Sequence, residues 1–403
     1  MKNYYIFLKS NFQPVYFGWL LTFFSSFGQT FLVSIFVPSI LREFDLSRAA
    51  FGGYYSAATL IASLFLLKTG HVIDHKPIRP FTIKTVVLLS ASCALLAGAV
   101  NPAMIILALT GMRLGGQSLL SHISSSVMSR YFDRDRGKAL SLSSLGFSSG
   151  EVVFPVVVGA LIALSGWRMA VLYSGVFIAA VLLPVLRKID IERMDINHED
   201  DNGVPPPEKM KLYMDIMKKR NFWIIAFPTF FFSMTLTGFF FYQYLLAEER
   251  MWPMEWYAAC FAGFGIAKLV FIIFGGTLID RFSGRKLFPF FVIPAFPGFL
   301  VLAYATSVFS PLLFLPLIGI TIGLSGVITS AVIAEVYGVA NIGKIRSLFT
   351  VLMVVGAAAG PLLYGILLDG GYTFKFIALA SAAATAIISI TSTMLDKDKL
   401  PGP

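Results

Sequence analysis

Arg113, Glu151 and Lys268 are the ionisable side chains placed deep inside otherwise apolar runs of this sequence. An ionised group surrounded by hydrocarbon costs several kcal/mol unless it is paired or hydrated, so each is a functional candidate by position alone. Two cations and one acid leave a formal charge of one positive unit, which suits a monovalent anion. Protonation of Glu151 would raise that charge and offers a way to couple a proton to the anion. Each group also has a plainer reading: Arg113 and Glu151 as a buried structural pair, and Lys268 as a cation that snorkels or pairs elsewhere. Gln117 stands one helical turn after Arg113, and Gln29, Thr30, Tyr54, Tyr55, Tyr242, Gln243 and Tyr244 are the polar or aromatic residues that could line a cavity beside it. His122 lies nine residues beyond Arg113, on the opposite helix face, and reads as packing. No Walker A sequence, metal-ligand cluster or Ser/His/Asp arrangement occurs, so neither ATP-driven work nor enzyme chemistry has residue support, and no cofactor is expected.

The elements that position these groups follow from composition. The 403 residues are 57% hydrophobic and 13% charged, with a mean hydropathy of +0.77. A soluble fold carries roughly twice that charged fraction; this is an all-α integral membrane protein. Windows of about 20 apolar residues, the length that crosses hydrocarbon, recur twelve times. They cover approximately 15–38, 50–69, 82–100, 103–129, 138–163, 169–186, 222–246, 256–279, 287–306, 310–334, 346–368 and 374–394, numbered here as spans 1 to 12. On the helical rise, Arg113 in span 4, Glu151 in span 5 and Lys268 in span 8 all lie about 15–20 Å deep. The first window follows Lys2 and Lys9 but lacks a small-residue cleavage site, so it reads as a retained helix.

With the N-terminus inside, 25 of the 32 Lys and Arg fall in cytoplasmic segments and five (Arg42, Arg48, Arg168, Arg250, Lys375) in outer ones. This asymmetry predicts that both termini are cytoplasmic. It also accounts for the net charge of +10 without a nucleic-acid partner. Between Arg187 and Arg220 eight acids mix with eight basic residues around Pro205, Pro206 and Pro207. This polar stretch divides the chain into a six-helix bundle over 1–187, a cytoplasmic connector over 188–220 with a short surface helix near its end, and a second bundle over 221–403. Cys93 and Cys260 sit in apolar runs and suggest no disulfide.

The two halves echo each other. Gly70, Asp74 and Arg79 after span 2 answer Gly276, Asp280, Arg281, Gly284 and Arg285 after span 8. In span 5 the series Gly146, Gly150, Pro155, Gly159 answers Gly356, Gly360, Pro361, Gly365 in span 11. Glycine every fourth residue bares one helix face, so another backbone can come close. A carboxylate at a cytoplasmic helix end can meet a helix N-terminus or an Arg in a contact that can be broken and remade. Repeated halves of six spans with interrupted helices are what an alternating-access secondary transporter requires.

On the Gly70/Asp74 and Gly276–Lys286 segments the chain resembles the major facilitator superfamily over essentially its whole length. The second segment resembles that family's signature loop almost completely; the first lacks the usual Gly-Arg after the Asp. The resemblance implies a fold of twelve transmembrane helices in two six-helix bundles, with these residues and Glu335 as cytoplasmic latches. Phe17-Gly18-Trp19, Tyr131 to Ala139, Gly166-Trp167-Arg168 and Ala334 to Gly338 look like the monocarboxylate porter branch and its bacterial oxalate/formate-like relatives. That implies a multi-pass protein of a bacterial inner membrane, functional as a monomer, moving a small organic anion by H+ symport or anion exchange. Arg113, Lys268, Gln117, Gln29, Tyr54 and Tyr244 are then the expected substrate contacts and Glu151 the proton carrier. An exporter of amphipathic drugs or lipids, or a non-transporting receptor, is the alternative on the same fold.

Overall fold

In the computed structural model the described residues are 2–69, 76–132, 135–195, 213–338 and 342–395. Among them every regular element is helical. Nine helices among the described residues are long and apolar enough, by length and composition, to cross a membrane. The twelve expected spans appear once three interruptions are counted. Span 1 is a bent pair, Phe12–Gly28 and Thr30–Glu43, with a 43° break between them. Spans 5 and 6 run together as Arg136–Lys188 and change direction at Gly166, whose φ of 78° belongs to the left-handed region that glycine enters freely. Span 9 is short, Ala295–Tyr304, and is preceded by a run of turns.

Local chemistry sets several of the other boundaries. Asn101 caps span 4 by accepting from Met104 N–H at 3.0 Å, with Pro102 at the first helical position, where a missing N–H costs nothing. Gly338, at φ 73°, closes span 10. Of the connector, Tyr213 to Met217 are helical, and 196–212 lie outside the described residues.

Two compact units emerge: Met1–Glu199 with Gln243–Leu245, and Asp200–Tyr242 with Leu246–Pro403. In the first, span 5 lies directly on span 1. A Cβ on Gly146 would stand 2.7 Å from Phe23 N, and one on Gly150 would stand 3.1 Å from Phe23 O. In the second, span 11 lies on span 7 in the same manner, with a Cβ on Gly356 falling 2.5 Å from Phe230 O and one on Gly360 2.7 Å from Gly238 N. The glycine series of the sequence are thus the bare faces on which paired helices meet, once in each unit.

Opposite the N-terminal end of the first unit, Glu43 closes span 1 and holds span 6 by two donors, Trp167 Nε1 at 2.6 Å and Arg168 Nε at 2.8 Å. Arg168 also donates to the carbonyls of Ala97 and Ala99 beyond span 3. One guanidinium therefore ties three helix ends together.

Candidate functional site

Arg113 opens a π-helical stretch, Arg113–Leu120, inside span 4. Such a widened turn shifts the following side chains relative to an ordinary helix and often marks a functional position. The side chain is 3% exposed. Its Nη1 donates to Gly28 O at 3.2 Å and approaches Thr30 Oγ1 at 3.4 Å, and its guanidinium carbon lies 4.9 Å from the centre of the Tyr55 ring. Tyr55 in turn donates from its hydroxyl to Thr30 Oγ1 at 2.8 Å.

The break in span 1 makes this arrangement available. Gln29 is extended (φ −81°, ψ 148°), and Leu32 N–H donates to Gln29 O, so the Gly28 carbonyl is left for the guanidinium. The backbones of spans 1 and 4 touch here, because a Cβ on Gly116 would lie 2.6 Å from Gly28 N. Among the described residues, Arg113 is held by a carbonyl, a hydroxyl and a ring, with no carboxylate oxygen within 4.0 Å. A cation anchored by neutral groups keeps its charge for a ligand.

The other expected residues are distributed as follows. Gln117 carries a buried Oε1 with no hydrogen-bond partner among the described residues. Gln29 and Tyr54 are half-buried, and it is Tyr55 rather than Tyr54 whose ring meets Arg113. Glu151 is 7% exposed in span 5, next to Gly150, which faces Ser26 of span 1. Tyr244 is buried and belongs to Gln243–Leu245, grouped with the first unit. Lys268 belongs to the second unit, half-buried, with its ammonium 5.9 Å from the centre of the Phe264 ring one turn earlier. Its carbonyl faces Gly323 of span 10, where a Cβ would stand 2.5 Å away.

Of the expected latch residues, Gly70 and Asp74 lie outside the described residues, as does the Asp280 side chain. Arg79 does not stand alone: it donates to Ile189 O at 2.9 Å and pairs with Glu192 at 2.7 Å. It thereby ties the start of span 3 to the chain leaving span 6. Gly276, expected to permit close packing, has no neighbour within 4 Å of where its Cβ would stand. The tight glycine is Gly284, whose Cβ would fall 2.7 Å from Ala331 Cβ of span 10. Arg281 is exposed, 5.2 Å over the Phe282 ring.

Glu335 at the end of span 10 accepts from two backbone N–H groups, Gly284 at 2.7 Å and Arg285 at 2.9 Å. A carboxylate in that position satisfies donors that the short helix Gly284–Leu287 cannot pair internally. Glu335→Ala is expected to lower the thermal midpoint of the purified protein. Glu335→Gln, which keeps one acceptor oxygen, lowers it less; equal midpoints for all three proteins would show that the contact contributes nothing.

Residues 18–260 match the family model described as the Major Facilitator Superfamily. The chain belongs to that superfamily. Among curated proteins, this facilitator is 27% identical over 158 residues to a gallate transporter of Pseudomonas putida. The matched segment makes up 38% of this chain and spans about a third, 34%, of that relative's length. Among solved structures it is similar to a mutant form of the nucleoside transporter NupG, with a TM-score of 0.72 and 14% identity, covering 96% of this chain and 99% of that one. A bacterial homolog of the human lysosomal transporter Spinster, inward-facing and occupied, matches with a TM-score of 0.71 and 16% identity over 96% and 94% of the two chains. At these identities the structures share the fold alone. The facilitator is thus a multi-pass membrane protein of a transporter family.

Sequence reasoning passed over Gly28, whose carbonyl and bare Cα are both used in the Arg113 site. The Gly-Gln-Thr step at 28–30 was the available signal, since a glycine followed by two polar residues interrupts an apolar helix. It also passed over a second-unit cavity of about 410 Å³ between spans 7, 9, 10 and 11, lined by apolar and hydroxyl side chains and Arg346. None of Arg113, Glu151 and Lys268 is on its wall.

Proposed function

We propose that this facilitator moves a small organic anion, a monocarboxylate, across a bacterial inner membrane by alternating access, in H+ symport or in exchange for another anion. The observation that carries this reading is Arg113: a buried guanidinium whose contacts among the described residues are neutral, placed where a helix break and a π-helical turn meet. A carboxylate is the natural partner for such a group, because two parallel N–H donors match its two oxygens. The gallate transporter to which part of the chain is similar is named for a carboxylate, which supports the same class. Gln117, one turn along the helix, and Tyr55 complete the recognition surface. Lys268 is assigned separately as a second anion-attracting group in its own unit. Both termini are assigned to the cytoplasm on the distribution of basic residues.

Reconstitution into liposomes tests the substrate class. Uptake of a radiolabelled monocarboxylate above that of empty vesicles is expected, and uptake of lipophilic amines with no carboxylate flux would overturn the reading. Glu151 is assigned as the proton carrier. Glu151→Gln is therefore expected to make uptake insensitive to an imposed pH gradient while anion counterflow persists. Unchanged gradient dependence in that variant would remove Glu151 from the proton path.

A further inference from the structure

We infer that Glu43 is a gating residue: it fastens the second half of span 1 to its own unit, and its release lets that half swing about Gln29 while the surrounding corner stays intact. The inference rests on the anion site proposed at Arg113, because Thr30, at the foot of the same half, meets that guanidinium.

The second half of span 1 is made of three short pieces, Thr30–Val33, Ser34–Phe36 and Val37–Glu43, and the middle one is a 3₁₀ turn. A 3₁₀ stretch within a helix often marks a hinge. Extended Gln29 separates all three pieces from the first half of the span. Val37 and Ile40 are fully buried, but apolar contact is non-directional and tolerates sliding. The directional contact at the far end is Glu43, whose two oxygens accept from Trp167 Nε1 at 2.6 Å and Arg168 Nε at 2.8 Å.

The second unit solves the same problem differently. Spans 1 and 7 end in matching turns: Leu46 N–H donates to Leu41 O at 3.1 Å and Trp252 N–H to Ala247 O at 2.9 Å, with Asp45 and Met251 at φ 49° and 53°. In each unit an arginine donates to two carbonyls at the end of the third span, Arg168 to Ala97 and Ala99, and Arg250 to Leu302 and Ala305. Arg250 belongs to the turn of span 7 itself, whereas Arg168 belongs to span 6 and reaches span 1 through Glu43. Span 7 therefore cannot move off without taking a donor from Leu302 and Ala305; span 1 can move and leave the corner whole. With Glu43 withdrawn, Arg168 keeps both carbonyls and water takes the place of the carboxylate, since the two side chains are 32% and 42% exposed. Buried Trp167 supplies the return: its indole N–H lacks its acceptor while the half-helix is away, and a buried donor left unpaired is costly.

Two measurements on the full-length protein test this. In hydrogen exchange, Glu43→Ala is expected to speed exchange across 30–43 at least about threefold, the size of an exposed ion pair's contribution, and to leave 95–101 unchanged. Arg250→Ala is expected to do the opposite in its own unit, speeding exchange across 300–306 at the end of span 9. In reconstituted vesicles, Glu43→Gln keeps an acceptor for Trp167 but not the charge, so the turnover of radiolabelled lactate counterflow is expected to rise about threefold with KM unchanged. A merely structural contact would instead lower turnover and thermal midpoint together. Unchanged exchange across 30–43 in Glu43→Ala overturns the inference, as does a Glu43→Gln turnover that stays at the wild-type value or falls with the midpoint. Absence of any monocarboxylate flux in the wild-type protein would overturn the transport reading, and the exchange measurement then decides the fastening by itself.

Discussion

Arg113→Ala is expected to lower carboxylate uptake by about a hundredfold or more in reconstituted vesicles, with little change in the yield or thermal midpoint of the protein. The magnitude follows from two charge-assisted hydrogen bonds to the substrate at about 1.5–3 kcal/mol each, with each 1.4 kcal/mol worth about tenfold. The stability effect is small because Arg113 has no ion pair to orphan among the described residues; its removal frees the Gly28 carbonyl, one contact with Thr30 and the face of the Tyr55 ring. Arg113→Lys keeps the charge but not the planar fork, so uptake should fall between wild type and Arg113→Ala. Uptake in Arg113→Ala within a few fold of wild type would end the case for this residue as the anion anchor.

Gly116→Val is expected to have the largest structural effect. The new Cβ would lie 2.6 Å from Gly28 N and 2.7 Å from Gly28 Cα, and both are backbone atoms that cannot rotate aside. Forcing the two helices apart should cost about 3 kcal/mol, the upper part of the usual range for overpacking. It would also pull the Gly28 carbonyl away from Arg113, so stability and uptake should fall together. Gly137→Ala is the matched control, because nothing stands within 4 Å of its Cβ position and alanine is the better helix former. A Gly116→Val protein that melts like wild type and transports normally would show that spans 1 and 4 need not touch there.

Membrane spans were legible because hydrocarbon imposes a length and a composition on any helix that crosses it. All twelve windows correspond to helical segments, yet the interruptions at 28–30 and in span 9 were not foreseen. A break costs local hydrogen bonds that only neighbouring helices can replace, and those neighbours are distant in the sequence. The glycine repeat was legible for a similar reason: a bare face every fourth residue has no purpose on an isolated helix. Which partner fills it, span 1 for Gly146 and Gly150 and span 7 for Gly356 and Gly360, is a tertiary fact.

The residues expected to act as latches divide along the same line. Glu335 and Gly284 are separated by 51 residues, and their hydrogen bond depends on the last turn of span 10 ending beside the short helix after span 8. Gly276 looked equally suited to close packing and has open space instead. Residue type alone cannot tell the two glycines apart, since either can accept a neighbour and only one has it.

What the amino-acid sequence determined by itself was the solvent each segment must face, and from that the helical class and the number of spans. Burial energy depends on residue type and run length, both written along the chain. Tertiary structure alone decided the company that Arg113 keeps: a freed carbonyl, a threonine hydroxyl and a tyrosine ring. Such contacts are set by how helices cross and where they break, and their energies depend on distances that no linear spacing encodes.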